Sequence, residues 1–366
     1  MNKKIIPAAA VAIAIGIIVA VLGMDNFSNN PTPEISKNEK LGLVINSPQS
    51  QITLQEFDEI YTKAASTGIG RSNVYMFWDL IEPQKGEYAW EQYDTIMALN
   101  EKNDLKVTLY FSLINGKTLG PFPSWIGKPS LISVSEDNLA RVLDAVLSRY
   151  HIIDSVIIAG GTDEHFRYQE QEIPVYEKLF NNVYDQIKEN HPGVKIGNSF
   201  GLNNALNKNL EDLIQQLSFG DFVAITYRPT DTLNEINKTP QEAIDDLRQF
   251  NANTDKKIAI FEISWSTSDF VLGSTESQSQ FVEEFYRFYD EFEEDFEFVT
   301  WYRLYDRPEG SCDVDESTLE GTVTLGNSTF VIQRLGSYIC NAGLLTVDDI
   351  SKPSWNEFSN QIKSIT

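Results

Sequence analysis

Acidic and aromatic side chains close several of the apolar runs in this chain. Glu262 ends Lys257-Ile-Ala-Ile-Phe-Glu262, and Asp163 and Glu164 follow Val156-Ile-Ile-Ala-Gly-Gly161. Trp78, Asn115, Tyr227, Trp265 and Trp301 stand at or just beyond the ends of other such runs, as do Asp79 and Tyr302. A carboxylate at the end of a strongly apolar strand is costly unless it is paired or used. Carboxylates flanked by flat aromatic faces suit a sugar, since aromatic rings stack on pyranose C–H faces while carboxylates supply acid, base or nucleophile. The chain has no Gly-rich loop followed by Lys and no Gly-x-Ser-x-Gly elbow, so nothing resembles a phosphate cradle or a serine hydrolase.

The elements that must position these residues are legible as alternating short apolar runs and amphipathic stretches. Strands are expected at Leu41–Asn46, Gly70–Met76, Leu105–Phe111, Ser155–Ala159, Val194–Ser199, Phe222–Thr226, Lys257–Glu262 and Phe296–Trp301. Several are near-continuous Val, Ile, Leu and Phe, as in strands buried on both faces. Phe281, Phe285, Phe288 and Phe292 form a helical apolar stripe between two of them. Thr53, Ser135 and Thr239 (followed by Pro240) read as helix N-caps. Eight such β-then-α units predict a (β/α)8 barrel over residues 41–366, with a doubly wound sheet as the alternative. In a barrel the strand C-termini form the site, and the residues named above sit there. Asp306–Gly326 is expected to loop over that face.

Composition narrows the partners. The 366 residues carry 29 Lys and Arg against 53 Asp and Glu, a net charge of −24. That excess argues against nucleic acid as a partner. It also makes an acidic polysaccharide the less favoured ligand on overall charge. Two cysteines, Cys312 and Cys340, exclude a disulfide-rich scaffold and a cysteine zinc cluster, and whether they pair is open. Three histidines, His151, His165 and His191, leave little for a metal centre, so no metal and no cofactor are expected.

Lys3 and Lys4 precede an uncharged run from Ile5 to Met24, long enough to span the roughly 30 Å of a bilayer core. Residues 1–24 therefore read as a signal anchor with the N-terminus inside, or as a signal peptide cut after Val21-Leu22-Gly23. Residues 25–40, with Asn29-Asn30-Pro31-Thr32-Pro33, read as a tether. The rest would then lie outside the cell, membrane-held through the N-terminal segment only, or secreted. Sequons at Asn26, Asn237 and Asn327 suit export.

Trp78-Asp-Leu-Ile-Glu-Pro-Gln-Lys-Gly-Glu-Tyr-Ala-Trp90, followed by Tyr93-Asp94, resembles the second-strand motif of the clan of retaining (β/α)8 glycosidases, which includes β-galactosidases, cellulases, mannanases and xylanases. Leu105-Lys-Val-Thr-Leu and Pro123-Ser-Trp125 resemble its third strand and the loop after it, and Thr300-Trp301 its eighth strand. Gly343-Leu-Leu with Lys352-Pro-Ser-Trp355 resembles its C-terminal ending. The resemblance implies that Glu262 is the nucleophile, that Tyr227 contacts it, that Trp125 and Trp301 are sugar platforms, and that Glu82 braces the barrel. It implies an exported hydrolase acting on an extracellular polysaccharide or glycan. One motif departs. The clan's fourth strand ends Gly-Asn-Glu, whose Glu is the acid/base, whereas Gly160-Gly161-Thr162 stands here. Glu164 or Asp163 is the candidate substitute. The alternative is a barrel that has lost its acid and binds glycans at the cell surface.

Overall fold

The computed structural model describes residues 36–308, 310–312 and 329–366. The anchor or signal segment (1–24), residues 25–35 of the tether and most of the Asp306–Gly326 loop lie outside the described residues. No helix among the described residues is long and apolar enough to cross a membrane.

Eight parallel strands close into a barrel: β1 (Asn38–Leu43), β2 (Ile69–Met76), β3 (Lys106–Phe111), β4 (Ile153–Ala159), β5 (Lys195–Gly201), β6 (Phe222–Tyr227), β7 (Lys257–Ile263) and β8 (Phe296–Trp301). Each pairs with its sequence neighbours, and β1 pairs with β8, so no sheet edge remains. All eight expected strands are present within a few residues; β1 starts at Asn38, inside the stretch read as tether. The doubly wound alternative falls with the closure of the sheet.

Helices on the outside are set by the signals in the sequence. Thr53 accepts from the Glu56 amide while Glu56 reaches back to the Thr53 amide, a capping box that Thr239 and Glu242 repeat. Ser135 occupies the N-cap position of the Glu136–Arg149 helix without a side-chain cap bond. The Thr275–Glu291 helix buries Phe281, Phe285 and Phe288 against the barrel.

The strand interiors divide by parity. Tyr110, Ile157, Phe222, Ala224, Ala259, Phe261 and Phe298 fill the barrel's inside, and their alternates such as Leu109, Val223, Ile260 and Val299 face the helices. Arg71 closes the N-terminal end of this interior. Its guanidinium lies 4.5 Å from the Phe298 ring centroid, donates to Thr108 Oγ1 at 2.9 Å and pairs with Asp154 at 2.7 Å.

Candidate active site at the barrel mouth

Simple alternation would send Glu262 outward with Ile260. The pairing of β7 instead skips a residue on both sides. Ile260 pairs with Ile225 and Val299, but the next partners are Glu262 with Thr226 and Ile263 with Trp301. This bulge turns the Glu262 carboxyl to the interior side. There Tyr75 donates its hydroxyl to Glu262 Oε1. Burial raises the Glu262 pKa; the Tyr75 hydrogen bond and the charges of Arg228 and Arg303 oppose the shift. Arg228 and Arg303 are thus close enough for their charges to act on this carboxyl.

Below Glu262 lies an aromatic layer. Tyr110 stacks on Phe261 at 5.7 Å and 15°, and Tyr75 packs on both, at 5.7 and 5.9 Å. Tyr110 explains the end of β4. A Cβ placed on Gly160 would overlap the Tyr110 ring and sit 2.6 Å from its hydroxyl. The short Ile114–Asn115/Thr118–Leu119 hairpin also docks there, with Gly160 donating to Ile114 O at 2.9 Å and Gly116 to Gly160 O at 2.8 Å. Gly161 has φ +62, and its Cβ would meet Gly116 Cα at 3.0 Å. The clan's acid/base falls on Gly161 or Thr162: packing leaves little room for a side chain at Gly161, and Thr162 is buried, donating Oγ1 to Ser199 O at 3.2 Å.

The two substitutes differ in setting. Asp163 is fully buried, accepting from Gly201 N at 2.9 Å and Asn204 Nδ2 at 2.6 Å. Burial and then the neighbouring Glu164 charge push its pKa up to about 6. Both of its oxygens are engaged by residues at and just after the end of β5. Glu164 is partly exposed beside Asp163, within the field of Lys208. Neither is brought into the group around Glu262.

The aromatic candidates are distributed as follows. Trp301 is fully buried and faces outward, packed on Phe281 and Phe285 of the Thr275–Glu291 helix. Trp265 is buried and donates to Ser277 Oγ at 2.9 Å. Tyr227 is buried on the helix side and donates to Asp246 Oδ2, away from Glu262. Trp78 is buried and donates to Glu82 Oε2 at 2.9 Å. These four rings are core packing in this conformation, because a face with no exposure cannot stack on a ligand. Trp125 keeps part of its surface, with Nε1 on Glu82 O at 3.2 Å and Lys85 Nζ 5.6 Å from its ring centroid. Asn115 is buried beside Tyr110, whose hydroxyl lies 3.2 Å from Asn115 Oδ1; its Nδ2 has no partner among the described residues. Glu82 is the buried hub of this side, held by Trp78, the Gly86 amide at 2.6 Å and Arg141 at 2.7 Å.

Sequence reasoning did not single out Tyr75, Tyr110, Arg228, Arg303 or Arg307. The signal available for Tyr75 was its parity with Arg71 and Asn73 on β2, which sets three polar-bearing side chains on one face of the strand. Among the described residues no group of three His, Cys, Asp or Glu is placed to hold a metal ion. Cys312 and Cys340 are joined in a disulfide.

No family model matches the chain, and no curated protein matches it in sequence. Solved structures do. A family 39 glycoside hydrolase from Bacteroides cellulosilyticus WH2 aligns with 90% of this chain at TM-score 0.57 and 15% identity; the chain spans 65% of that structure's length. The fold is that of the (β/α)8 glycoside hydrolases. A GH5_18 variant from Streptomyces cattleya, in complex with Manβ1-4GlcNAc, aligns over 89% of this chain and 80% of its own length at TM-score 0.62 and 12% identity. Xylanase 10B from Thermotoga maritima aligns over 89% and 95%, at TM-score 0.56 and 13% identity. At these identities the likeness establishes the shared barrel.

Proposed function

We propose that this chain is an exported glycan-binding barrel, holding carbohydrate at the mouth around Glu262, Tyr75, Asn115 and Trp125 without completing acid-assisted hydrolysis. One observation carries the reading: the Glu262 carboxyl accepts from a phenol and lies in the field of Arg228 and Arg303, while the end of β4, where the clan's proton donor falls on Gly161 or Thr162, carries no acid. Loss of a general acid costs about 10²–10⁴ in rate. That is enough to end turnover of a sugar whose leaving group needs a proton. The complex of the Streptomyces cattleya structure with a disaccharide adds support for carbohydrate as the ligand class. The Cys312–Cys340 disulfide supports an oxidising compartment, and with the Ile5–Met24 run it supports a protein outside the cell, anchored or secreted.

A second reading rests on Asp163. A carboxylic acid with a pKa of about 6 is poised to donate at neutral pH. In that reading Glu262 attacks the anomeric carbon as nucleophile, and Asp163 or Glu164 protonates the leaving oxygen and later activates water. The test is a panel of oligosaccharides and their 2,4-dinitrophenyl glycosides. Saturable binding, with natural glycosides left intact, supports the binding reading. Turnover of natural glycosides that is lost in both Glu262→Gln and Asp163→Asn supports the hydrolase. Turnover that survives Glu262→Gln overturns the nucleophile role.

A further inference from the structure

Three arginines stand on one side of the mouth. Arg228 follows β6 directly, and Arg303 and Arg307 follow β8, on either side of the strand that ends with Glu262. The strand ends hold them at one level. Ser264 N donates to Tyr227 O, next to Arg228, and Tyr302 N donates to Ile263 O, next to Glu262. The Arg303 guanidinium lies 4.4 Å from the Tyr302 ring centroid. Arg228, Arg303, Arg307 and Glu262 are all close enough for their charges to act on the Tyr302 phenol.

These cations are short of anions. None of the three forms an ion pair with a carboxylate among the described residues. Arg303 is fully buried. Its Nη2 donates to Ile339 O at 3.0 Å, but Nε and Nη1 have no partner among the described residues. A buried guanidinium with two unmade hydrogen bonds is costly. The nearest acidic group on the same segment does not relieve it, because Asp306 is held by Lys352 at 2.8 Å and by the Gly343 amide at 2.8 Å. Arg307 is partly buried close enough to Arg303 for the two charges to repel, and burial and this repulsion lower its pKa. Glu262 lies in the field of Arg228 and Arg303, and Asp306, already held by Lys352, in that of Arg303, in a chain whose net charge is −24.

We infer that the β6–β8 side of the mouth is an anion-binding site, and that the carbohydrate it takes carries a carboxylate or sulfate group. The inference rests on the carbohydrate reading above and adds the ligand's charge. Guanidinium groups match carboxylate and sulfate oxygens with paired, charge-assisted hydrogen bonds. The chain's overall negative charge does not prevent this. Exposed charges farther away than about 8 Å are largely screened at physiological salt, while partly buried ones at the mouth are screened much less. This revises the expectation, drawn from net charge alone, that acidic saccharides are disfavoured. A short acidic saccharide or a chain end meets the local field before the distant one.

The test uses the full-length chain in detergent. Binding is measured by calorimetry for trigalacturonate and 3′-sulfated lactose, with cellotriose and lactose as neutral counterparts, at low and high salt. Arg228→Gln and Arg307→Gln are compared with the parent, and unchanged thermal unfolding certifies the fold. The expected result is that an acidic sugar binds at least tenfold tighter than its neutral counterpart, weakens with salt, and loses roughly tenfold per arginine removed. Trigalacturonate against sulfated lactose tells which anion is preferred. Equal binding of acidic and neutral sugars, unmoved by either substitution, overturns the anion site and leaves the carbohydrate reading standing. No binding of any of the four sugars overturns both.

Discussion

The ends of β4 and β7 each present a carboxyl whose pKa is raised by desolvation, fully buried at Asp163 and partly exposed at Glu262, and the two are surrounded differently. Beyond β4, Asp163 has both oxygens on neutral N–H donors, Gly201 N and Asn204 Nδ2. Those donors belong to the protein, so its hydrogen-bonding capacity is met without a ligand. On β7, Glu262 has Oε1 on Tyr75 and no partner on Oε2 among the described residues. Its counter-charges come from Arg228 and Arg303, and Arg303 has two nitrogens without a partner among the described residues. Burial alone does not distinguish a structural carboxylate from an available one. What distinguishes them is whether the neighbouring groups are satisfied in the absence of a ligand. The β4 end is closed packing, and the β7 end keeps hydrogen-bonding capacity unmet among the described residues.

That contrast can be broken at several points. The largest effect is expected on the β8 side, where Lys352 and Asp306 form a nearly buried pair. Lys352→Met leaves Asp306 uncompensated and should cost about 3–5 kcal/mol in denaturant unfolding. A loss under 1 kcal/mol would mean that the cationic side is not held by this pair. At Asp163 the prediction concerns pH. The unfolded chain keeps that proton only to about pH 4, while the folded chain keeps it to about 6. Between those values the folded state binds more protons, so this group makes stability fall as pH rises. The fall amounts to about 2–3 kcal/mol and should be absent in Asp163→Asn; parallel stability profiles would place the titration elsewhere. Gly160→Ala should cost about 1–3 kcal/mol through the clash with Tyr110. In a Tyr110→Ala background the added penalty should shrink, and an unchanged penalty would remove Tyr110 as the cause. The smallest effect is expected for Tyr75→Phe. Losing the hydrogen bond to Glu262 should raise the Glu262 pKa further, as NMR titration of the carboxyl would show; a fall would contradict the assigned contact.

The barrel was legible in the sequence because its signal is repeated. Eight apolar runs between amphipathic stretches leave few architectures, and β7 could be located from Lys257-Ile-Ala-Ile-Phe-Glu262 alone. The faces of the strands were not legible. Because both faces are apolar, nothing in Phe296–Trp301 says that Phe298 points in and Trp301 out. Trp301, Trp265, Trp78 and Tyr227 were read as mouth residues for this reason, and they fill the core between strands and helices. Glu262 was found because a charge at the end of such a strand is conspicuous. Its inward aim depends on a bulge that the sequence does not announce. The role of Gly160 was half legible. The missing glutamate is visible in the text of the chain, but the Tyr110 ring that requires a glycine at the position before Gly161 comes from another strand, fifty residues earlier. The arginines were invisible because an acidic total conceals a local excess of the opposite sign.

Arg71 gives the ligand question a topological limit. Its side chain, wedged between Phe298, Thr108 and Asp154, stoppers the N-terminal end of the barrel. From this stopper up to the Tyr110–Phe261 layer the inside is packed with side chains, so no passage runs along the barrel axis. A long glycan therefore has only the rim to lie on, and it must arrive and leave on the same face.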